Sequence, residues 1–260
     1  HQPAMYAYMS TKEAVENAGL DIDQLSRSET GVIFGNDSTA GSIMETVDKL
    51  REKNDTTLLG SGAIFQNMNC SVNMNISTIF KLKGINFTIS AACASGSHSI
   101  GMGYLLIKQG LQERVICGGA QEINPTAMGS FDGLSVFSDM EDNPTKASRP
   151  FDRDRNGLVP GGGAATLVLE SYESAIKRGA PILGELMGYG FSSNGDHLSN
   201  PNLDGQHRSL NMALKQANVK ASDIDYVSAH ATSTPVGDVK ELGAIQELFG
   251  EKSPAISATK

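Results

Sequence analysis

Residues 85–96 read Ile85-Asn86-Phe87-Thr88-Ile89-Ser90-Ala91-Ala92-Cys93-Ala94-Ser95-Gly96. Residues 85–90 alternate and predict a strand, and residues 94–107 predict a tightly packed helix, so Cys93 falls on the turn between them. A helix N-terminus favours the thiolate, and its backbone N–H groups can hold an oxyanion. Two interpretations stay about equally open on this segment alone, a nucleophile and a small buried residue, because free cysteines are often buried.

Composition limits the classes of function. The chain has 260 residues, 39% hydrophobic content and a formal net charge of −8. This length fits one large domain or two moderate ones, and the acidic charge disfavours nucleic acid as a general partner. No apolar stretch is long enough to span a membrane and no signal segment opens the chain, so we expect a cytoplasmic protein without membrane association.

The three cysteines argue against structural cross-links. Cys70, Cys93 and Cys117 are odd in number and contain no CxxC pair, so we expect neither a disulfide framework nor a zinc site. Cys117 lies in an apolar strand pattern, where core packing is the favoured role. The sequence opens without Met and ends at Lys260 directly after a strand pattern, which we interpret as a chain cut at both ends.

The order of predicted elements suggests two similar halves, residues 1–180 and 181–260. Within the first half, residues 83–123 form a strand–turn–helix–strand unit whose strands run parallel. The pattern restarts after residue 180 with the predicted strands 182–190, 226–228 and 254–259 and helices near 207–217 and 239–249. Near the N-terminus, Ser10-Thr11-Lys12-Glu13 has the spacing of a capping box and predicts the start of a short helix that ends at Gly19.

His230 follows one of these strands and opens a loop rich in hydroxyl groups, His230-Ala231-Thr232-Ser233-Thr234-Pro235-Val236-Gly237-Asp238. A histidine at a strand end can act as an acid, a base or an oxyanion donor, and it fits a structural role equally well. Asp238 and Glu241 have the spacing of a capping box on an amphipathic helix, which explains them without catalysis. A second role for both carboxylates is to hold the charge of Lys260.

One further motif resembles a calcium loop at its start only. It reads Asp152-Arg153-Asp154-Arg155-Asn156-Gly157, but its twelfth position is Gly163 rather than glutamate. Because the bidentate glutamate is missing and the flanks are not helical, we expect no metal there.

Several segments together resemble the β-ketoacyl-acyl carrier protein synthases, and most of all the type I bacterial enzyme. The likeness covers nearly the whole chain and keeps the order of the motifs. It implies an α/β, thiolase-like fold of five layers built from two related halves, here truncated at both ends, and a homodimer. The segments are Ser90–Cys93, Ser148–Asp152, Gly161–Gly163, His230–Asp238 and Ile256–Lys260.

The resemblance also implies a reaction, the decarboxylative Claisen condensation. In it, Cys93 takes an acyl group from acyl carrier protein, and malonyl-acyl carrier protein supplies the carbanion that attacks this thioester. The product is 3-oxoacyl-acyl carrier protein, formed in fatty acid elongation with no metal or redox cofactor.

The same resemblance implies roles for the other site residues. His230 would donate to the malonyl thioester oxygen, and Lys260 would tune the charge of the site. Glu241 and Asp238 would support Lys260. Thr232 and Thr234 match positions that contact the pantetheine arm.

The chain departs from the family pattern in two ways. Ala231 stands where the family usually has glycine, which adds a methyl group beside the site. The family continues beyond the position of Lys260 to a second catalytic histidine and a glycine-rich loop. We therefore expect the full-length protein to be active and this chain by itself to be inactive.

Two other functions remain open. One is a thiolase acting on coenzyme A thioesters, against which the His-x-Thr-Ser-Thr-Pro segment stands. The other is a non-catalytic, carrier-protein-binding partner subunit, against which the retention of Cys93 stands.

Overall fold

The computed structural model describes residues 1–260. The α-helices are α1 Gln2–Asn17, α2 Ile22–Arg27, α3 Ala40–Lys53, α4 Ala63–Gln66, α5 Ser71–Ile79, α6 Ser95–Lys108, α7 Pro125–Asp132, α8 Tyr172–Lys177, α9 Leu203–Ala217 and α10 Gly237–Phe249. The strands are β1 Gly31–Gly35, β2 Asn86–Ile89, β3 Arg114–Gln121, β4 Gly163–Glu170, β5 Tyr226–Ala229 and β6 Ala255–Ala258. None of these helices has both the length and the apolar character needed to cross a bilayer.

The chain forms two compact units, each built from two stretches of sequence. The first unit comprises His1–Met128 and Gly161–Leu186, and the second comprises Gly129–Pro160 and Met187–Lys260. Residues 129–160 thus pack with the C-terminal part of the chain. The division into halves at residue 180 stays a prediction.

The first unit contains a mixed four-stranded sheet in the order β2-β1-β3-β4. Strand β1 pairs in parallel with β2 on one side and with β3 on the other, and β4 pairs with β3 antiparallel. The predicted strand–helix–strand unit is therefore present, but β1 lies between its two parallel strands.

Both faces of this sheet are covered by helices. Neighbouring side chains on β1 point to opposite sides of the sheet, so they contribute to two different cores. Val32 and Phe34 face a core that includes residues of α1 and α5. Ile33 faces the other way, toward Val115, Cys117 and the apolar side of α6. The burial of Cys117 confirms its predicted core role.

Helix α6 lies very close to β3 because small residues face the sheet. A Cβ atom added at Gly103 would lie 2.3 Å from the Cys117 Sγ, so only glycine fits there. A glycine weakens an isolated helix by about 1 kcal/mol. Gly101 and Gly103 are nevertheless present in α6 because both are buried against the sheet.

The second unit has a small sheet in which β5 and β6 pair in parallel, with Ala229 opposite Ala258. Its core gathers Ala229, Ala231 and Ile245, against which Phe151 and Phe249 pack. Since the two strands are parallel, the chain leaves both of them at the same edge of the sheet. His230 and the Thr259-Lys260 end of the chain follow these two strand ends.

Two predicted elements differ from the structure. Helix α1 begins at Gln2, not at Ser10, because Pro3 lies in the first turn, where proline is well tolerated. Ser10 lies inside that helix and hydrogen-bonds the Ala7 carbonyl instead of capping. Residues 182–190 form no strand, since no other strand pairs with them.

Candidate active site

Cys93 is exposed and lies two residues before α6, on the turn that follows β2. The turn is strained, because Ala92 has a φ of 46° in the left-handed region. That conformation costs a residue with a Cβ roughly 1–2 kcal/mol. The predicted position of Cys93 between strand and helix is confirmed.

The Ser95 hydroxyl holds this turn on both sides of the strained residue. Its Oγ accepts the Ala91 N–H at 2.8 Å and donates to the Ala92 carbonyl oxygen at 2.6 Å. Beneath the turn, β1 ends at Gly35, where an added Cβ would lie 2.3 Å from the Ser95 carbonyl carbon. The start of α6 therefore rests directly on the end of β1.

No side chain caps the N-terminus of α6. The N–H of Ser95, the first residue of α6, already donates to the Ala92 carbonyl at 3.0 Å. The N–H groups of the next two residues have no partner within the helix, so they can bind an acceptor from outside. Next to an exposed thiol, such groups can stabilise the oxyanion that forms when a thiolate attacks a carbonyl.

In the second unit, Glu241 fixes the backbone at the start of the His230 loop. Its Oε1 accepts the His230 N–H at 2.8 Å and its Oε2 accepts the Ala231 N–H at 2.7 Å. A carboxylate that accepts two N–H groups makes charge-assisted bonds, which are stronger than neutral ones. The direction in which the chain leaves β5 is thereby set by a side chain of α10.

Asp238 holds the far end of the same loop. Its Oδ1 accepts the Thr234 N–H at 3.2 Å and its Oδ2 accepts the Phe151 N–H at 2.9 Å. The prediction that Asp238 and Glu241 form a capping box is wrong, because α10 begins after Val236 without a side-chain cap. Both carboxylates bind backbone groups outside the helix instead.

The His230 ring lies among several charges. Burial lowers its pKa, the Glu241 carboxylate raises it, the Lys260 ammonium lowers it and Asp238 raises it, so that the pKa lies below the ordinary value. The residue as a whole is exposed in this chain, which limits the size of the effect. Its ring is therefore neutral near neutral pH and keeps one N–H donor.

Lys260 is exposed, and neither Asp238 nor Glu241 forms an ion pair with it. Its backbone carbonyl accepts the Ser148 hydroxyl at 3.1 Å. The influence of Lys260 on His230 is thus electrostatic, while the two carboxylates are occupied by backbone N–H groups.

Thr232 and Thr234 flank the buried Ser233, which has a φ of 68°. This conformation brings the hydroxyls of the two threonines within 3.3 Å of each other. Ala231 is 1% exposed and packs into the core of the second unit, which accommodates its methyl group.

The second unit thus brings together His230, Lys260, Thr232, Thr234, Asp238 and Glu241, whereas Cys93 belongs to the first unit. Sequence reasoning missed Arg155, whose guanidinium binds the backbone of the same loop. In the sequence, Arg155 stands out only as a member of the Asp152–Gly157 motif, which resembles the start of a calcium loop.

Comparison with known proteins shows which family the chain is similar to. Residues 3–175 match the family described as beta-ketoacyl synthase, N-terminal domain, and residues 183–260 match its C-terminal domain. The 3-oxoacyl-[acyl-carrier-protein] synthase 1 of Haemophilus influenzae is 40% identical over 259 residues, which cover 99% of this chain and 63% of that protein.

Solved structures agree as well. A beta-ketoacyl synthase from Burkholderia phymatum is 39% identical with a TM-score of 0.94, covering 100% of this chain and 64% of that one. The AntDE:AntF structure, a type II PKS acyl-carrier protein in complex with its ketosynthase bound to the hexaketide, has 28% identity and a TM-score of 0.92 and covers 98% and 65%. The predicted thiolase-like α/β fold is confirmed. The chain spans less than two thirds of the length of these proteins, and it belongs to the beta-ketoacyl synthase family.

Proposed function

We propose that the full-length protein catalyses a decarboxylative Claisen condensation that gives 3-oxoacyl-acyl carrier protein in fatty acid elongation. The observation that carries this proposal is the exposed Cys93 on a strained turn at the uncapped start of α6. The activity named for the Haemophilus influenzae relative supports it.

In the first half-reaction, the Cys93 thiolate attacks the thioester carbonyl of an acyl carrier protein. The carbonyl becomes a tetrahedral oxyanion, which N–H groups at the start of α6 are suited to stabilise. The carrier thiolate leaves and takes up a proton, and the acyl group remains on Cys93 as a thioester. An oxyanion-hole donor of this kind is typically worth about 3 kcal/mol of transition-state stabilisation.

In the second half-reaction, malonyl-acyl carrier protein loses carbon dioxide. The electrons of the broken bond form an enolate at the thioester, whose oxygen accepts the N–H of His230. The enolate carbon then attacks the acyl thioester, and the Cys93 thiolate leaves. The lowered pKa of His230 is compatible with this role, because the neutral imidazole keeps one N–H that can donate to the enolate oxygen.

The other site residues have supporting roles in this proposal. The hydroxyls of Thr232 and Thr234 contact the pantetheine arm, and their mutual distance of 3.3 Å suits one polar group of that arm. Lys260 adjusts the charge around His230. Glu241 and Asp238 keep the loop in place through its backbone.

The proposed partners are acyl carrier protein, in its acyl and malonyl forms, and a second copy of the same protein in a homodimer. The carrier-protein complex described for AntDE:AntF supports the first. We further propose that the protein acts in the cytoplasm, where a reducing environment keeps a nucleophilic thiol free. On α3, Arg51 and Lys53 lie in the last turn and offer positive charge to an acidic partner, whereas Lys49 is paired with Glu45.

The test is to incubate the full-length protein with an acyl carrier protein and to locate the mass gain on peptides. We expect the acyl group on Cys93, its loss in Cys93→Ala, and its retention in the control Cys70→Ala. Acylation that survives in Cys93→Ala would contradict the assignment. Turnover with malonyl-acyl carrier protein separates the alternatives, because a thiolase would instead require coenzyme A thioesters and a partner subunit would turn over neither.

A further inference from the structure

The loop from His230 to Asp238 is held from outside by the segment Arg149–Gly157. The Arg149 N–H donates to the Ser233 hydroxyl at 3.1 Å, and the Gly157 N–H donates to the Ser233 carbonyl at 2.9 Å. Both bonds are made to Ser233, the residue with the left-handed backbone conformation. The segment that begins like a calcium loop therefore binds a protein loop.

Arg155 makes the most extensive of these contacts. Its Nε donates to the Thr234 carbonyl at 3.1 Å and its Nη2 donates to the Pro235 carbonyl at 2.7 Å. Its Nε also lies 3.6 Å from the Oδ2 of Asp238. The planar guanidinium presents several donors in a fixed arrangement. This arrangement allows one side chain to interact with three oxygen atoms of the loop, those of the Thr234 carbonyl, the Pro235 carbonyl and the Asp238 carboxylate.

The contact between Arg155 and Asp238 is shielded from solvent, which increases its effect on stability. The side chain of Arg155 is 13% exposed and that of Asp238 is 1% exposed. A buried carboxylate without a positive partner is costly, so loss of Arg155 would leave Asp238 poorly compensated. Asp238 in turn binds the N–H of Thr234, so the disturbance would reach the loop by two routes, through its carbonyls and through Asp238.

We propose that Arg155 is a positioning residue that fixes the Thr232 and Thr234 hydroxyls in the orientation required to bind the pantetheine arm of thioester substrates. It does so without touching the substrate, by holding the carbonyls of Thr234 and Pro235 and the carboxylate of Asp238. This inference rests on the proposed function and deepens it. The part of the substrate that the two threonine hydroxyls would bind is the pair of amide groups in the pantetheine arm.

The experiment compares two thioester probes in the full-length protein. Acyl-pantetheine carries both amides of the arm, and acyl-N-acetylcysteamine carries only the one next to the sulfur. In each case the acyl group moves to Cys93 and the thiol leaves, and the rate is followed by mass. For Arg155→Ala we expect the KM for acyl-pantetheine to rise about tenfold and the KM for acyl-N-acetylcysteamine, which offers one amide instead of two, to rise less, while kcat stays close to that of the unmodified protein with both probes. Arg155→Lys should fall between, because one ammonium cannot bind all three oxygens.

Arg153→Ala is the matched control, since Arg153 lies in the same segment with 91% of its side chain exposed and pairs only with its neighbour Asp154. It should change neither probe. An equal loss with both probes in Arg155→Ala would show general damage, and no change with either would show that Arg155 has no positioning role. Either result overturns the proposal.

Amide hydrogen exchange provides a readout that does not need catalysis. We expect residues 230–238 to exchange faster in Arg155→Lys and in Arg155→Ala than in Arg153→Ala. Unchanged exchange in these residues would reject the positioning role even if Cys93 is never acylated. Absence of Cys93 acylation in the unmodified protein would instead reject the proposed function, so the two failures are distinguishable.

Discussion

Glu241 accepts a hydrogen bond from the backbone N–H of His230 at 2.8 Å. The bond joins the first turns of α10 to the residue that follows β5, and a second bond to Ala231 makes the contact bidentate. The position of the His230 ring is consequently set through its own backbone. Changes at Glu241 should therefore act on His230 without removing any group that touches the substrate.

Replacing Glu241 by alanine should lower the condensation rate roughly thirtyfold. Two backbone N–H groups would lose a charged acceptor, and such bonds contribute about 2 kcal/mol. Glu241→Gln keeps one acceptor oxygen and should lose less. Steady-state turnover with malonyl-acyl carrier protein measures the effect, and the exposed Glu251 provides a control as Glu251→Gln. A rate for Glu241→Ala equal to that of the control would contradict the role of this contact.

The pKa of His230 should respond in opposite directions to two substitutions. Burial holds this pKa below the ordinary value of about 6.5, the Glu241 charge raises it and the Lys260 charge lowers it. Glu241→Gln should therefore lower the pKa further, and Lys260→Met should raise it. NMR titration of the ring protons gives both values, and shifts in the same direction would refute this electrostatic account.

The same pKa has a consequence for stability. Because the unfolded chain binds a proton to His230 more readily than the folded chain, the free energy of unfolding should fall as pH drops through about 6.5 toward the lower folded pKa. The stability contributed by the neutral ring is present above that window. Urea titrations at several pH values should show a weaker decrease in His230→Gln than in the unmodified protein.

Glu170 should control acid stability of the first unit. Burial tends to raise its pKa, but hydrogen bonds from Arg178, Arg114 and Ser174, together with the Arg114 charge, lower it to about 2. A depressed carboxyl pKa stabilises the fold above the unfolded value of about 4.3, and this stability is lost as pH falls from there toward 2.

Glu170→Gln should therefore destabilise the first unit at neutral pH by about 3 kcal/mol, since the buried guanidinium of Arg114 and the partly buried one of Arg178 lose their charged partner. The difference from the unmodified protein should shrink as pH falls through that window. Thermal unfolding at pH 7 and pH 3 measures both, with the exposed pair Lys12–Glu16 as a control through Glu16→Gln. A difference that stays constant with pH would argue against the ion pairs.

Ser95→Ala should slow acylation of Cys93. The hydroxyl of Ser95 makes both side-chain bonds that hold the strained Ala92, so its loss should release the turn and cost about 1 kcal/mol of stability. Single-turnover acylation and thermal unfolding are the measurements. Ser97→Ala, an exposed position on the same helix, is the control. Acylation as fast as in the control would show that the turn is held by other contacts.

Much of the first unit could be predicted because its signals are local. The predicted strand and helix around Cys93 match β2 and α6 to within one residue at their boundaries. The start of α1 was missed because the polar Ser10 to Glu13 run resembles a cap, while Pro3 gave the actual signal. The 182–190 segment was missed because alternation describes a strand but does not supply a neighbour for it.

The candidate site was less accessible to sequence reasoning. Asp238 and Glu241 have a spacing that a helix cap explains locally, whereas their partners Phe151 and His230 are 87 and 11 residues away. Arg155 carried no signal of its own, because its acceptors are backbone carbonyls and any residue type supplies those. Contacts of side chains with distant backbone leave no pattern in a single sequence.

The bonds between Arg149–Gly157 and the His230 loop close a long stretch of chain. They connect residues 76 to 87 positions apart, and the intervening chain includes β4 and α8, which belong to the first unit. Contacts of such high sequence separation form slowly, because the entropy of closing the loop is lost before any bond is gained. We expect His230 and its threonines to reach their final arrangement late in folding, after synthesis of nearly all of these 260 residues. A nascent chain that ends before α10 would already contain the folded turn around Cys93. Its loop from His230 onward would not yet have reached its final structure.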